Sequence, residues 1–276
     1  MQFKSYSKIN LGLNILNKRS DNFHNIQSLF IELDFSDYIS FIPNDKFDLK
    51  IIGNNKIDPK KNTIIDAINE LSKISNLNLT HKIKINKNIP IGAGLGGGSS
   101  NAACVLKAIN KIYKLNKSDK ELKKIGLQIG SDVPFFINGG IQHVTGRGEI
   151  LKSIKFGQIK NKKILLVFPP FSISTKWAYN NLKKTFANNS NSPKFRPLTN
   201  KIDWSLFEND FENVVKSTYP EILDIKNALL NNGAIYSGLS GSGSTMFGIY
   251  NDNESLLNAK KALSHYQTCA TCPSNE

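Results

Sequence analysis

Apolar residues recur at every second position through the first part of the chain. Ile9, Leu11, Leu13 and Ile15 alternate with Lys8, Asn10, Gly12 and Asn14, the period of a strand with one buried face and one polar face. The polar run NKRSDNFHN interrupts this pattern and predicts a turn. Leu29, Ile31, Leu33 and Phe35 then resume it in a second strand. At Ile64, Ile68 and Leu71 the spacing becomes helical, and Asn62 stands where an N-cap belongs. HKIKINKNIP alternates as a strand and delivers the chain to PIGAGLGGGSSNAA, Pro90 to Ala103. Beyond it Ala102, Leu106, Ile109 and Tyr113 form one helical stripe. SDKE, Ser118 to Glu121, is a capping box that opens a helix ending near Gly130. ILLVFPP reads as a buried strand, and FANNSNSPKFRP, Phe186 to Pro197, as a polar surface loop. Pro220 opens a helix closed by Gly233, and AIYSGLSGSGSTMFGIY is a strand, a glycine turn and a second strand. Strands and helices mixed without strict βαβ alternation predict an α+β fold, with a boundary near Leu151 to Lys163.

Composition narrows the class of protein. The 276 residues suffice for one large or two medium domains, and 39% hydrophobic with 21% charged residues is ordinary for a globular chain. No apolar run approaches the roughly 18 residues of a membrane span. MQFKSYSKINLGLN alternates polar and apolar residues instead of presenting a signal peptide's apolar block, so the cytoplasm is the expected location. The net charge of +14 comes from dispersed lysines, with no aromatic-interleaved basic block, helix-turn-helix or zinc spacing. Neither nucleic acid nor membrane is therefore an expected partner, and a positive field suits an anionic small substrate. Cys104 falls in the helix after the glycines and reads as a core residue. Cys269 and Cys272 form a C-x-x-C with no second pair and no suitably spaced His, and the odd cysteine count fits a reducing compartment.

The glycine segment carries the chemistry. Gly92, Gly94 and Gly97 match G-x-G-x-x-G, but no second strand ending in Asp or Glu follows at about twenty residues, as a dinucleotide fold requires. A Walker A loop is excluded as well, because Ser99 stands where the Lys would be. A strand, a glycine-rich loop and a helix N-terminus nonetheless make an anion site, since backbone N–H groups converge there and the helix dipole favours phosphate. Ser99 and Ser100 have two open roles, capping the helix or ligating phosphate and its Mg²⁺. If the glycines serve phosphate, a side chain at Gly97 is expected to obstruct the ligand and leave the fold nearly unharmed.

PIGAGLGGGSSNAA resembles the nucleotide loop of the GHMP kinases, and three further stretches agree in order: YSKINLGLNI with DNFHNIQSLF, IGSDVPFFINGG, and GLSGSGSTMFGIY. The resemblance implies a two-domain α+β fold. An N-terminal ATP-binding domain similar to the second domain of ribosomal protein S5 would span 1–155, and a ferredoxin-like domain 156–276. It implies an enzyme, an ATP-dependent kinase that phosphorylates an alcohol group, with ATP and a cytidine diphosphate sugar-alcohol of the non-mevalonate isoprenoid route as substrates. A monomer or homodimer is expected. Alternatives are another small-molecule kinase of the family, such as homoserine kinase, or a non-catalytic nucleotide-binding relative.

The same resemblance distributes roles. Pro90, Ile91, Gly92, Ala93, Gly94, Leu95, Gly96, Gly97, Gly98, Ser99 and Ser100 would bind ATP. Asp132, which in isolation reads as an N-cap, would accept the hydroxyl proton. Lys8, in isolation a solvated strand-edge lysine, would hold that carboxylate ionised. Asn10, Phe23, His24, Thr175 and Tyr179 would bind the acceptor. In this arrangement Phe23 stacks on the pyrimidine, His24 bonds its edge and Tyr179 is the opposing aromatic. The helix start SSNAACVLK holds no acid, so Mg²⁺ would be held by phosphates, with Ser100 as the nearest hydroxyl and no metal site made by the chain itself. CATCPSNE departs from the usual ending of the family.

Overall fold

The computed structural model describes residues 1–53, 57–75, 78–182 and 202–274. Two long strands open it, β1 (Gln2–Lys18) and β2 (His24–Pro43), where the alternation predicts them. By contacts the chain divides into two compact units. Unit one comprises Met1–Ser7, Phe35–Ile91 and Gly96–Gly139, and unit two Lys8–Asp34, Gly92–Leu95 and Gly140–Glu276. Both long strands contribute to both units, and so does the glycine loop.

In unit one, Tyr38–Pro43 of β2 pairs antiparallel with β4 (His81–Asn86), which pairs in parallel with β3 (Asp48–Ile52). The crossover between these parallel strands is α1 (Thr63–Ser75). Its cap is the expected Asn62, whose Oδ1 accepts the N–H of Ile64 at 2.9 Å. Helix α2 (Gly97–Ile112) packs on α1, and Ile39 of β2, Ile83 of β4 and Leu106 and Ile109 of α2 are all buried. Tyr113 lies one residue beyond α2 and uses its hydroxyl to accept the N–H of Thr80 at 3.0 Å. Helix α3 (Asp119–Ile129) opens on the predicted capping box, with Ser118 and Glu121 bonding each other's backbone. A turn then leads into α4 (Val133–Asn138).

Unit two contains Ser28–Ile31 of β2 paired with β5 (Ile141–Thr145), itself paired with β6 (Ile150–Ser153). Its second sheet has the order β10-β7-β9-β8, with all neighbours antiparallel. These strands are β7 (Lys163–Phe168), β8 (Tyr236–Leu239), β9 (Met246–Tyr250) and β10 (Gln267–Thr271). The short α5 (Gly157–Lys160) precedes β7, and α6 (Thr175–Asn180) follows it. Helices α7 (Asp210–Thr218), α8 (Glu221–Asn231) and α9 (Asn253–Ala262) share one core with Leu165, Val167 and Met246 of the sheet. Helix α8 starts after Pro220 and ends before Gly233 as predicted, with Gly233 at φ 89°. The surface loop predicted for Phe186 to Pro197 lies outside the described residues.

The cysteines take structural places. Cys104 is buried, and burial pushes its thiol up to about 12, so it stays a neutral core group. Cys269 lies within extended β10 and Cys272 continues past it beside β2, where Asp34 N–H donates to the Cys272 carbonyl at 3.0 Å. Three residues of extended chain separate the Cα atoms by about 10 Å, beyond the span of a disulfide. The tail is fixed instead by Ser274, whose hydroxyl donates to the buried Glu32 carboxylate at 2.9 Å.

Candidate active site

In unit one the second half of the glycine loop becomes the start of α2. Its N-cap is Gly96, left-handed at φ 69°, and no side chain caps the helix. The N–H groups of Gly97, Gly98 and Ser99 are therefore not taken up by a capping side chain, the arrangement that accepts an anion. Gly98 is exposed, and a Cβ built on it would meet only the Thr63 side chain, 3.6 Å away. The Thr63 hydroxyl donates to the Gly98 carbonyl at 2.7 Å, tying α1 to this turn.

The two serines are not caps, because the helix begins before them and they stand inside its first turn. Ser100 faces inward, 2% exposed, with its hydroxyl 2.8 Å from that of Ser5. A Cβ on Gly130 would lie 3.8 Å from the Ser99 hydroxyl, which sets the GSDVP turn beside the loop. Asp132 occupies that turn. It sits at the N-cap position of α4 but makes no side-chain capping bond. The capping role that the isolated sequence suggests is therefore not the one its carboxylate plays. Gly97 also differs from expectation. A Cβ there would come within 2.9 Å of Ile89 Cγ2 and 3.4 Å of Lys87 Nζ, so substitution disturbs packing as well as any ligand.

Unit two holds the first half of the loop. Gly92 and Gly94 have φ of 66° and 76°. A Cβ on Gly94 would lie 2.0 Å from the Ser240 carbonyl oxygen, so this glycine is required by another stretch of backbone. Ser240 donates its hydroxyl to the Gly94 carbonyl at 2.9 Å, and Lys8 donates its backbone N–H to the Leu95 carbonyl at 3.0 Å. The glycine turn between β8 and β9 is itself held by Asn209, whose amide donates to the carbonyls of Leu239 and Gly241 at 2.8 and 2.9 Å.

Lys8 is 3% exposed. Its ammonium donates to Asn10 Oδ1 at 2.5 Å and lies 4.4 Å from the centre of the Phe30 ring. Asn10 donates in turn to Ser28 Oγ at 3.1 Å, and Ser28 to the Gly12 carbonyl at 2.6 Å. This lysine is a buried cation set in place by hydrogen bonds, not a solvated strand-edge charge.

The residues expected to bind the acceptor all lie in unit two. His24 and Tyr179 stack with ring centres 4.9 Å apart and planes 18° from parallel. Burial, and then the charge of Lys18, lower the His24 pKa below the ordinary imidazole value. Tyr179 is braced edge-on by Phe211 at 4.9 Å. Thr175 opens α6 and its hydroxyl lies 3.0 Å from that of Ser242. Phe23 is 48% exposed, with the Arg147 guanidinium 5.0 Å from its ring centre. Tyr179 thus faces His24, while Phe23 has a cationic neighbour that no sequence motif singled out.

Comparisons with known proteins bear on the family of the chain. The GHMP kinases N terminal domain matches residues 62–140, and the GHMP kinases C terminal domain matches 194–267. A protein of Thermodesulfovibrio yellowstonii named 4-diphosphocytidyl-2-C-methyl-D-erythritol kinase is 38% identical, covering 96% of this chain and 93% of its own length. The chain belongs to the GHMP kinase family. A protein of the same name from Chlorobium chlorochromatii is 34% identical to this kinase, over 98% of the chain and 96% of its own length. Among solved structures, a 4-(cytidine 5'-diphospho)-2C-methyl-D-erythritol kinase superposes with TM-score 0.81 at 26% identity, covering all of both chains. The mevalonate kinase of Methanococcus jannaschii shares the fold, with TM-score 0.73 at 18% identity over 100% of this chain and 98% of its own.

No motif of the sequence marks Asp37. It is the only charged residue in the odd-numbered phase of β2 from Leu29 to Phe41, where every other position is apolar. A carboxylate in a core phase is a readable signal of a buried polar function. Among the described residues no helix is long and apolar enough to cross a membrane.

Proposed function

We propose that this kinase transfers the γ-phosphate of ATP to the 2-hydroxyl of 4-diphosphocytidyl-2-C-methyl-D-erythritol, giving the 2-phosphate and ADP. The observation that carries the phosphoryl-transfer chemistry is the open backbone of Gly98 at an uncapped helix start, beside a turn whose Asp132 is not consumed as a cap. The choice of acceptor rests on relatives of that name at 34–38% identity over nearly full length.

In this reading the acceptor oxygen bonds to the γ-phosphorus as the bond to the β,γ-bridging oxygen breaks. Asp132 takes the hydroxyl proton, and Lys8 is the second catalytic residue of the reading. Helix α2 presents its first-turn N–H groups to the phosphates. Mg²⁺, when bound, neutralises charge on the triphosphate. Among the described residues no three His, Cys, Asp or Glu side chains converge on a metal position, and the first turn of α2 carries no acid. In this reading the ion would be held by phosphates and water, with Ser99 and Ser100 as the hydroxyls of that first turn. The division into an ATP-binding domain over 1–155 and a second domain over 156–276 belongs to this reading, with one family match on each side of it. So does a cytoplasmic monomer or homodimer whose partners are its two small substrates.

An assay of ADP release with the cytidyl substrate, homoserine and mevalonate side by side tests the assignment. Turnover is expected with the first alone, and equal or faster turnover with homoserine removes it. A pH series adds a second check. With its pKa lowered, His24 stays neutral through pH 7 and offers an imidazole to the base edge. The KM for the acceptor is expected to stay flat through neutral pH and to rise only below the ordinary imidazole range. A rise already setting in above pH 7 speaks against a neutral His24 reading the base.

A further inference from the structure

Unit one loses the chain at Ile91 and regains it at Gly96, so something must fix the distance between the two stems of the glycine loop. Asp37 meets that need. One carboxylate oxygen accepts the N–H groups of Asn88 and Ile89, at 2.8 and 2.9 Å, on the stem that leaves β4. The other accepts the amide of Asn101, at 2.8 Å, on the first turns of α2, together with the ammonium of Lys87. Lys87 also donates to Asn101 Oδ1 at 3.1 Å, and the Asn101 amide reaches Ser5 Oγ at 2.8 Å.

Asp37 is 0% and Asn101 4% exposed, and the Lys87 side chain is 4% exposed. A fully desolvated carboxylate with four donors is costly to assemble, and hydrophobic replacements of such a pair are often no less stable. Its presence asks for a purpose beyond stability. Among the described residues these four donors come from both ends of one loop and from no other segment.

We propose that Asp37 is a positioning residue for ATP. Bridging Asn88 and Ile89 to Asn101, it sets the span of the loop and with it the aim of the N–H groups at Gly97, Gly98 and Ser99. Lys87 compensates the charge of the bridge. The inference rests on ATP binding at the loop, as proposed above.

Two double variants separate positioning from stability, because each removes both charges of the pair. In Asp37→Asn/Lys87→Met the introduced amide keeps an oxygen for the two stem N–H groups. Its nitrogen donates to Asn101 once that side chain flips, so the bridge is rebuilt without charge. In Asp37→Ala/Lys87→Met the bridge is gone. Calorimetric titration with a non-hydrolysable ATP analogue and with the cytidyl substrate, beside thermal melts, reads the result. The rebuilt bridge is expected to bind the analogue within about threefold of the parent, and the broken one about tenfold or more weaker, with the cytidyl affinity of both unchanged. If the broken variant does not fold, Asn101→Leu severs only the helix end and is expected to weaken the analogue several-fold. Equal analogue binding by both double variants, or parallel loss of both ligands, overturns the proposal. A parent protein that takes the cytidyl substrate but no ATP analogue overturns the functional reading beneath it.

Discussion

Replacing Asp132 with asparagine is expected to lower kcat by about 10²-fold or more while ATP still binds, because a positioned general base contributes roughly 10²–10⁴. The variant keeps the size of the side chain and the helical backbone angles at the start of α4. What it removes is a proton acceptor. Since the native side chain makes no capping bond, the variant takes no cap from α4. The measurement is steady-state kinetics beside a thermal melt. A near-normal kcat with a lowered melting temperature would mean that the carboxylate serves the fold and would withdraw the base assignment.

The second large effect is expected at Gly98→Ala. A Cβ there finds only ordinary contact with Thr63, and the position has no left-handed φ. It lies in the first turn of a helix, where Ala is a better helix former than Gly by up to about 1 kcal/mol. The fold should hold or gain stability. A methyl group on the open face of the turn nonetheless stands where phosphate must approach, so ATP affinity is expected to fall about tenfold or more with acceptor affinity unchanged. Gly94→Ala is the contrasting case. Its Cβ would fall 2.0 Å from the Ser240 carbonyl oxygen at a φ of 76°, so this variant should unfold at a lower temperature and lose both ligands together. If Gly98→Ala binds ATP normally, the open backbone is not the phosphate cradle.

These two glycines show where sequence reasoning stops. A dense run of glycines signals that something comes close to the backbone, and it does. At Gly98 the backbone is left open, whereas at Gly94 the close partner is a turn 146 residues away in the chain. Nothing local distinguishes the two. The same holds for Gly97, which looked free to carry a side chain and is in fact packed on Ile89. The short β3 has no readable signature in the sequence, because five residues give too little alternation to stand out.

Features that depend on near neighbours are legible in the chain before it folds. Alternation set β1 and β2. Asn62 and the Ser118–Glu121 box began their helices, because a cap is a bond between residues two or three apart. Pro220 and Gly233 bounded α8 through their own backbone preferences. The motifs, taken together, were enough to point to the family. Which polar partners each group meets is set by packing between distant segments. Ser100 turns inward to Ser5, Asp132 is withheld from capping, His24 meets Tyr179, and Asp37 draws together two ends of a loop from 51 and 64 residues away. Each of these rests on a bond between residues far apart in the chain, or on a bond left unmade. Hydrophobic periodicity cannot report either, since it records only which face of an element is buried and not what polar group it meets there.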